Sequence, residues 1–239
     1  MTDTRDPRPR VQQITADLRA RIMSGELPPG SRLPAVRELM DHYGAASATI
    51  RGAQNALKTE GFLVSRAGLA VSVRDQSPLV IRTATYFELG RWSYDLLTVA
   101  ETQPPAEIAE ALNLDAEGTA ILRQRLTLRD GEPVDLSWSY YPTDLAAGSP
   151  LAGQRKIKGG APAVLAALGH PERYFTDRVS ARMPTSEELE ILKLPVDVPV
   201  LRQFRVIYSD TRPVAAAILI KGAHRHEVLY HETVASPPP

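Results

Sequence analysis

In this chain of 239 residues the side chains with the clearest chemistry lie between positions 37 and 68, where guanidinium and short polar groups recur at helical spacing. If Ile50, Ala53 and Leu57 form a buried stripe, the 100° step of a helix puts Ala48, Arg51, Gly52 and Asn55 on the opposite face, with Thr49 and Lys58 at its edges. An arginine there can fork onto the O6 and N7 of guanine, and Thr49 or Asn55 can reach a base or a phosphate. Small residues at the start, Ser47 and Ala48, let a helix N-terminus approach base edges closely. The chemistry on offer is readout of a nucleic acid. An ordinary αα-hairpin with a solvated polar face is the competing reading of the pattern taken alone.

Two elements must position that face. A first helix is expected from Pro34, whose missing N–H and fixed φ suit a first helical position; it carries Val36, Leu39, Met40 and Tyr43 inward and Arg37, Glu38, Asp41 and His42 outward. Gly44 stops it, Ser47 can cap the second helix, and Gly61 ends that one. Beyond Gly61, Phe62 and Val64, then Ala67-Gly68, then Val71 and Val73 alternate around a glycine turn, which reads as a β-hairpin. Helix, turn, helix and hairpin make a winged helix-turn-helix.

Spaced matches over residues 11 to 74 resemble the GntR family of bacterial transcription regulators. They run from Ile22-Met23-Ser24-Gly25-Glu26-Leu27 through Pro29-Gly30, Leu33-Pro34, Arg37-Glu38-Leu39 and Thr49-Ile50-Arg51 to Ala53, Leu57 and Glu60-Gly61. The resemblance implies that Arg37 grips phosphate, that Thr49 and Arg51 work in the major groove, and that the wing-tip Gly68 passes close to the minor groove. The family usually has a small polar residue plus arginine where this chain has Ala46-Ser47, and a more polar wing than Ala67-Gly68-Leu69-Ala70. Those departures bear on operator sequence, and Arg66 is placed to compensate from the wing.

Length and composition fit two domains with modest cores, at 43% hydrophobic residues. No apolar run approaches the roughly 18 residues of a membrane span, and MTDTRDPRPR lacks the apolar stretch of a signal peptide, so a cytoplasmic protein is expected. Zero cysteines exclude disulfides, thiolate chemistry and cysteine metal sites. Net charge is zero, yet residues 1–75 hold 11 Lys+Arg against 8 Asp+Glu and the remainder 17 against 20. A weakly basic head on a non-DNA body gives such a split, and a single head should bind modestly. The polar stretch Arg74 to Pro78 marks the hinge, giving a head at 1–75, a linker at 76–85 and a body at 86–239.

The body contains a repeat at an offset of about 80 residues: PPAEIAEALNLDAEGTAILRQRLTLRDGEPV at 104–134 and PTSEELEILKLPVDVPVLRQFRVIYSDTRPV at 184–214. Each copy reads as an amphipathic helix, a strand with Leu-Arg-Gln and a turn to Pro-Val. A further strand follows each, Val134 to Tyr141 and Val214 to Lys221. Another helix fits residues 160–168. Two such units give an α+β fold, an antiparallel sheet with helices against it, with a crevice expected between two facing half-sheets.

Element order and EPVDLSWSYYP resemble the UTRA ligand-binding domain, of chorismate-lyase-like fold, which follows a GntR head in the HutC subfamily; the resemblance spans roughly residues 80–232. It implies a small effector, often a phosphosugar or a carboxylate, held by arginines of the first repeated strand and polar residues of its hairpin partner. By alternation Arg123, Arg125 and Thr127 share one face opposite Leu122, Gln124, Leu126 and Leu128, with Ser137 and Arg205 as candidate companions. Arg125 stands at a family arginine position, but Thr127, Ser137, Gly160-Ala161-Pro162 and Lys221-Gly222-Ala223 depart from the usual set. The departures favour a less charged or larger ligand than a phosphosugar, or none.

Other chemistry finds little support. His224, His226 and His231 lack helical metal-ligand placement and read as a solvated edge, and G-x-S-x-G, P-loop and G-x-G-x-x-G motifs are absent. No catalytic residue, metal or cofactor is assigned. The expectation is a homodimeric DNA-binding regulator, a repressor on a palindromic double-stranded operator, released by a small-molecule effector and without a membrane partner. Alternatives are a lyase on the same body fold, an effector-independent repressor and an architectural DNA-binding protein.

Overall fold

The computed structural model describes residues 6–65, 70–75, 79–82 and 92–229. The chain divides into two compact units, Met1–Leu79 and Val80–Pro239.

In the first unit, helix α1 (Arg10–Met23) buries Ile14 and Leu18, one helical turn apart, against α3. Helix α2 spans Val36–Tyr43 and α3 spans Ser47–Thr59; strands β1 (Leu63–Val64) and β2 (Ser72–Val73) pair antiparallel behind them. Leu39, Ile50, Ala53, Leu57, Leu63 and Val73 join Ile14 and Leu18 in one core. The expected winged helix is present, with local differences.

Helix α2 starts at Val36 rather than Pro34, because the Glu38 carboxylate accepts from the Ala35 N–H at 2.8 Å and fixes the start there. Ser47 is the first residue of α3 and caps nothing; the N-cap is Ala46, and the Ser47 hydroxyl instead meets Arg51 Nε at 3.4 Å. Gly44 ends α2 at φ 57°, where a side chain is disfavoured. In the hairpin the buried pair is Leu63 and Val73, directly opposite each other, with Phe62 and Val71 partly buried against the same core. The wing tip, with Arg66 and Gly68, lies outside the described residues.

The second unit is built on a six-stranded antiparallel sheet of order β4-β5-β6-β9-β8-β7. Its strands are β4 (Trp92–Thr102), β5 (Ala120–Arg129), β6 (Glu132–Pro142), β7 (Tyr174–Arg182), β8 (Val200–Tyr208) and β9 (Pro213–Gly222). The two repeats therefore form one continuous sheet, not facing half-sheets. The reason is the pairing of β6 with β9: both are apolar enough to be interior strands, and joining them removes two exposed edges.

An offset of 80 residues carries Ala120 onto Val200 and Pro142 onto Gly222, and it also carries Asn113 onto Lys193, both left-handed residues closing their helices. Those helices are α4 (Ala106–Ala111) and α7 (Ser186–Leu192). Trp138 pairs with Ile218, its own equivalent, so a pseudo-two-fold axis passes between them. Each helix crosses that axis. Ile108 and Leu112 cluster with Phe204, Val206 and Ala216 of the second repeat, and Leu192 clusters with Leu136 and Leu126 of the first.

Strands β4 and β7 extend the repeat beyond the stretch legible as sequence similarity. β4 carries a bulge between Leu96 and Thr98, and β7 is regular. The opposite sheet face is covered, over the first repeat, by α5 (Thr143–Ala146), a 3-10 turn (Pro150–Ala152) and α6 (Gly160–Ala167). Strand β3 (Leu79–Arg82) falls inside the stretch expected as linker and pairs with β10 (His226–Leu229); its Leu-Val-Ile run suits a strand.

Candidate functional site

Two places concentrate unspent polar groups. On the first unit, internal ion pairs absorb one set of cations: Arg8 with Asp6, Arg19 with Glu60 in a bidentate pair at 2.6 and 2.8 Å, and Arg21 with Glu26. Arg32, Arg37, Arg51 and Lys58 have no carboxylate partner among the described residues. Arg37 stands on α2, Arg51 and Lys58 on α3, and Arg32 at the bridge to Ser72 of the hairpin. A cleft of about 320 Å³ lies between these elements, lined by Pro34, Val36, Arg51, Gln54, Asn55, Lys58 and Val71.

Ala48, Arg51 and Asn55 are exposed on α3, as is Arg37 on α2, while Ser47 and Thr49 are half-buried beside them. Gly52 does not belong to the open face. A Cβ there would lie 3.4 Å from both methyls of Val11, so the glycine lets α1 close onto α3. Sequence reasoning missed Gln54, only 5% exposed and lining the cleft, because it falls on the buried stripe between Ala53 and Leu57.

The second place is the face of the sheet, over the first repeat, that carries Arg123, Arg125, Thr127 and Ser137 together. Arg123 is 3% exposed, and its guanidinium donates to the carbonyls of Leu151, Gly153 and Arg155 at 2.8, 2.7 and 2.9 Å. It clamps the 3-10 turn to the sheet. Burial holds its pKa below the usual arginine value and lifts that of the neighbouring Tyr141 above the usual tyrosine value.

Arg125 is placed differently. Its Nη2 donates to Ser139 Oγ at 3.0 Å, its guanidinium lies 5.9 Å from the Tyr94 ring centroid, and its buried Nε meets no acceptor among the described residues. Lys156 sits over the same ring at 4.8 Å. Thr127 and Ser137 are buried beside it on β5 and β6. Arg205 is no companion of Arg125, because β6 and β9 intervene and set their strands about 14 Å apart. It is already paired with Asp177.

Ser139 shared the alternation of Ser137 and was within reach of sequence reasoning. Tyr94 was not, since β4 precedes the recognisable repeat. Of the histidine segment, His231 lies outside the described residues, and His226 is less solvated than expected: it is 8% exposed and its Nδ1 lies 2.8 Å from the Gly222 carbonyl oxygen. That turn is folded back onto the end of the sheet rather than left at a wet edge.

Comparison with known proteins bears on both places. Residues 10–73 match the family model for bacterial regulatory proteins of the gntR family, and residues 88–227 match the model for the UTRA domain. Among curated relatives, the HTH-type transcriptional regulator Rv0792c of Mycobacterium tuberculosis is 28% identical over 92% of this chain and 84% of its own. The HTH-type transcriptional regulator RB1450 of Rhizobium meliloti is 30% identical over 77% of this chain and 78% of its own. The crystal structure of PhnF from Mycobacterium smegmatis shares the fold, with a TM-score of 0.59 at 18% identity over 92% of this chain and all of that one.

Proposed function

The chain belongs to the GntR family of bacterial regulatory proteins, with a UTRA domain behind its helix-turn-helix head, and we propose that it acts as a homodimeric repressor released from its operator by a small effector. DNA binding, transcription regulation and an effector-binding body follow from the family; its relatives are transcriptional regulators, not enzymes, so the lyase reading is set aside. The repressor sign, the dimer, the effector-driven release, the HutC subfamily and the cytoplasmic location are our reading. So is the division into a head at 1–75, a linker at 76–85 and a body at 86–239.

The observation that carries the reading is the sorting of cations on the head. Among the described residues Arg32, Arg37, Arg51 and Lys58 have no carboxylate partner while Arg19 and Arg21 of α1 do, which leaves positive charge where α2, α3 and the wing meet. A phosphodiester backbone is the partner that such charge suits. One recognition helix covers too few base pairs for useful specificity, and a two-fold operator solves this by repeating the half-site.

We assign Arg37 to phosphate, Ser47, Ala48, Thr49, Arg51 and Asn55 to the major groove, and Arg66 with Gly68 to the wing contact. For the effector we retain Arg125, Thr127 and Ser137. We set Arg123 and Arg205 aside as ligand groups because their guanidinium groups are spent inside the fold.

Footprinting on the chain's own promoter region, with and without inducing extracts, tests the reading: a protected palindrome that opens on induction is expected, and protection without sequence preference would favour an architectural protein. Sedimentation of residues 79–239 should give a dimer, and a strictly monomeric body would move dimer contacts to the head. Arg125→Ala is expected to bind the operator but not to release it on induction.

A further inference from the structure

The buried residues of α3 are Ile50, Ala53, Leu57 and one polar residue, Gln54, which is 5% exposed. Its side-chain amide has no hydrogen-bond partner among the described residues, and it borders the cleft of about 320 Å³ beside the recognition helix. A recessed amide left unpaired costs stability, whereas an apolar side chain of similar shape would cost little. The fold itself makes no use of this one.

Lys58 lies one turn further along α3 and lines the same cleft, half-buried and without a carboxylate partner among the described residues. Arg51, Gln54, Asn55 and Lys58 are three or four residues apart, so two cations and two amides make up one wall. The other wall is apolar, with Pro34 and Val36 at the start of α2 and Val71 before β2. Glu38 of α2 spends its carboxylate on the Ala35 N–H.

A helix seated in the major groove and a wing reaching the adjacent minor groove stand on either side of one sugar-phosphate strand, because that strand is what separates the two grooves. It must cross the gap between α3 and the hairpin, where the cleft opens. We propose that the cleft seats one phosphate of this strand, Gln54 Nε2 donating to a phosphate oxygen and Lys58 supplying the charge, separately from the phosphate assigned to Arg37. The inference rests on reading the head as a duplex-DNA binder. A phosphate suits the place better than a base edge, since Gln54 is recessed while Arg51 and Asn55 project from the helix. Both amide and ammonium donate, and a phosphate oxygen accepts from both in charge-assisted bonds.

The test uses the full chain on a duplex from its own promoter region and on a scrambled duplex, over a salt series. Gln54→Leu should keep or raise the melting temperature of the free protein and weaken binding to both duplexes by about tenfold. Lys58→Gln should lower the salt slope by about one unit, and by about two when combined with Arg37→Ala. Neutral methylphosphonates placed singly along the duplex locate the contact: one on the strand between the grooves should weaken the parent and leave Gln54→Leu with Lys58→Gln unaffected. Should Gln54→Leu melt lower than the parent, the Lys58→Gln slope and the methylphosphonate comparison decide.

Parent-like affinity and slope in both variants overturn the proposal, and so does a change of base preference in Gln54→Leu. Saturable stabilisation by inorganic phosphate that Gln54→Leu abolishes, with DNA affinity unchanged, would make the cleft a free-anion site and also overturns it. Failure of the parent to bind either duplex sinks the DNA-reading head itself, while normal binding by parent and variants alike sinks the cleft alone.

Discussion

Arg51 and Arg37 are both exposed cations of the head, yet their loss should read differently. Arg51 projects from the recognition helix opposite the Ile50 stripe, so Arg51→Ala should cost roughly 1–3 kcal/mol of specific binding without disturbing the fold. Arg37→Ala should weaken binding to all sequences alike and flatten the salt dependence by about one unit of slope. Gel shifts on operator and scrambled DNA over a salt series check both; equal operator affinity of Arg51→Ala and parent would remove α3 from the groove. Arg123 invites the opposite expectation. Three carbonyls depend on its guanidinium, so Arg123→Met should destabilise the body by about 3–5 kcal/mol in urea unfolding, a loss of structure rather than of ligand response.

At the scale of elements, the helix starts at Ser47 and Thr185, which both carry a hydroxyl, are not equivalent. The Thr185 hydroxyl accepts from the Glu188 N–H at 3.2 Å, and Glu188 accepts from the Thr185 N–H at 2.8 Å while pairing with Arg182. Arg182 and the Thr185 N–H hold the Glu188 carboxyl below its usual pKa although burial, the largest single influence, opposes them. Removing the hydroxyl by Thr185→Ala should cost about 1 kcal/mol. Ser47→Ala should change stability by less than about 0.5 kcal/mol, because Ser47 sits inside its helix and caps nothing. Denaturant midpoints of the two variants decide, and comparable losses would return Ser47 to the capping role that its sequence position suggested.

Over the whole molecule, His226 couples folding to pH on the acid side. Burial, chiefly, pushes its pKa down from 6.5 to about 4, with Lys221 and Arg225 acting in the same direction and the Gly222 carbonyl and Asp135 against it. The unfolded chain takes up a proton below 6.5 that the folded chain refuses until about 4, so stability falls as pH drops through that window and the loss is complete below it. The loss amounts to at most about 3 kcal/mol. His226→Asn keeps a donor for the Gly222 carbonyl without titrating, so its melting temperature should fall less than the parent's between about pH 7 and about pH 4; parallel curves would clear His226 of the effect.

The sequence by itself determined what is local or periodic. The winged helix was legible because the Ile50, Ala53 and Leu57 stripe, Gly44 and Gly61 act over a few residues, and the repeat was legible because two copies at an offset of about 80 residues impose the same alternation twice. Alternation also put Arg123, Arg125, Thr127 and Ser137 on one face. Which of those side chains is free was decided only in three dimensions. Arg123 met the carbonyls of a turn some 30 residues on, and Arg205 met a carboxylate on an edge strand 28 residues back, while Arg125 stands opposite Leu96 of β4. The joining of β6 to β9 was equally out of reach, because strand order depends on which edges are worth burying against each other, a property of whole sheets that no residue spacing encodes.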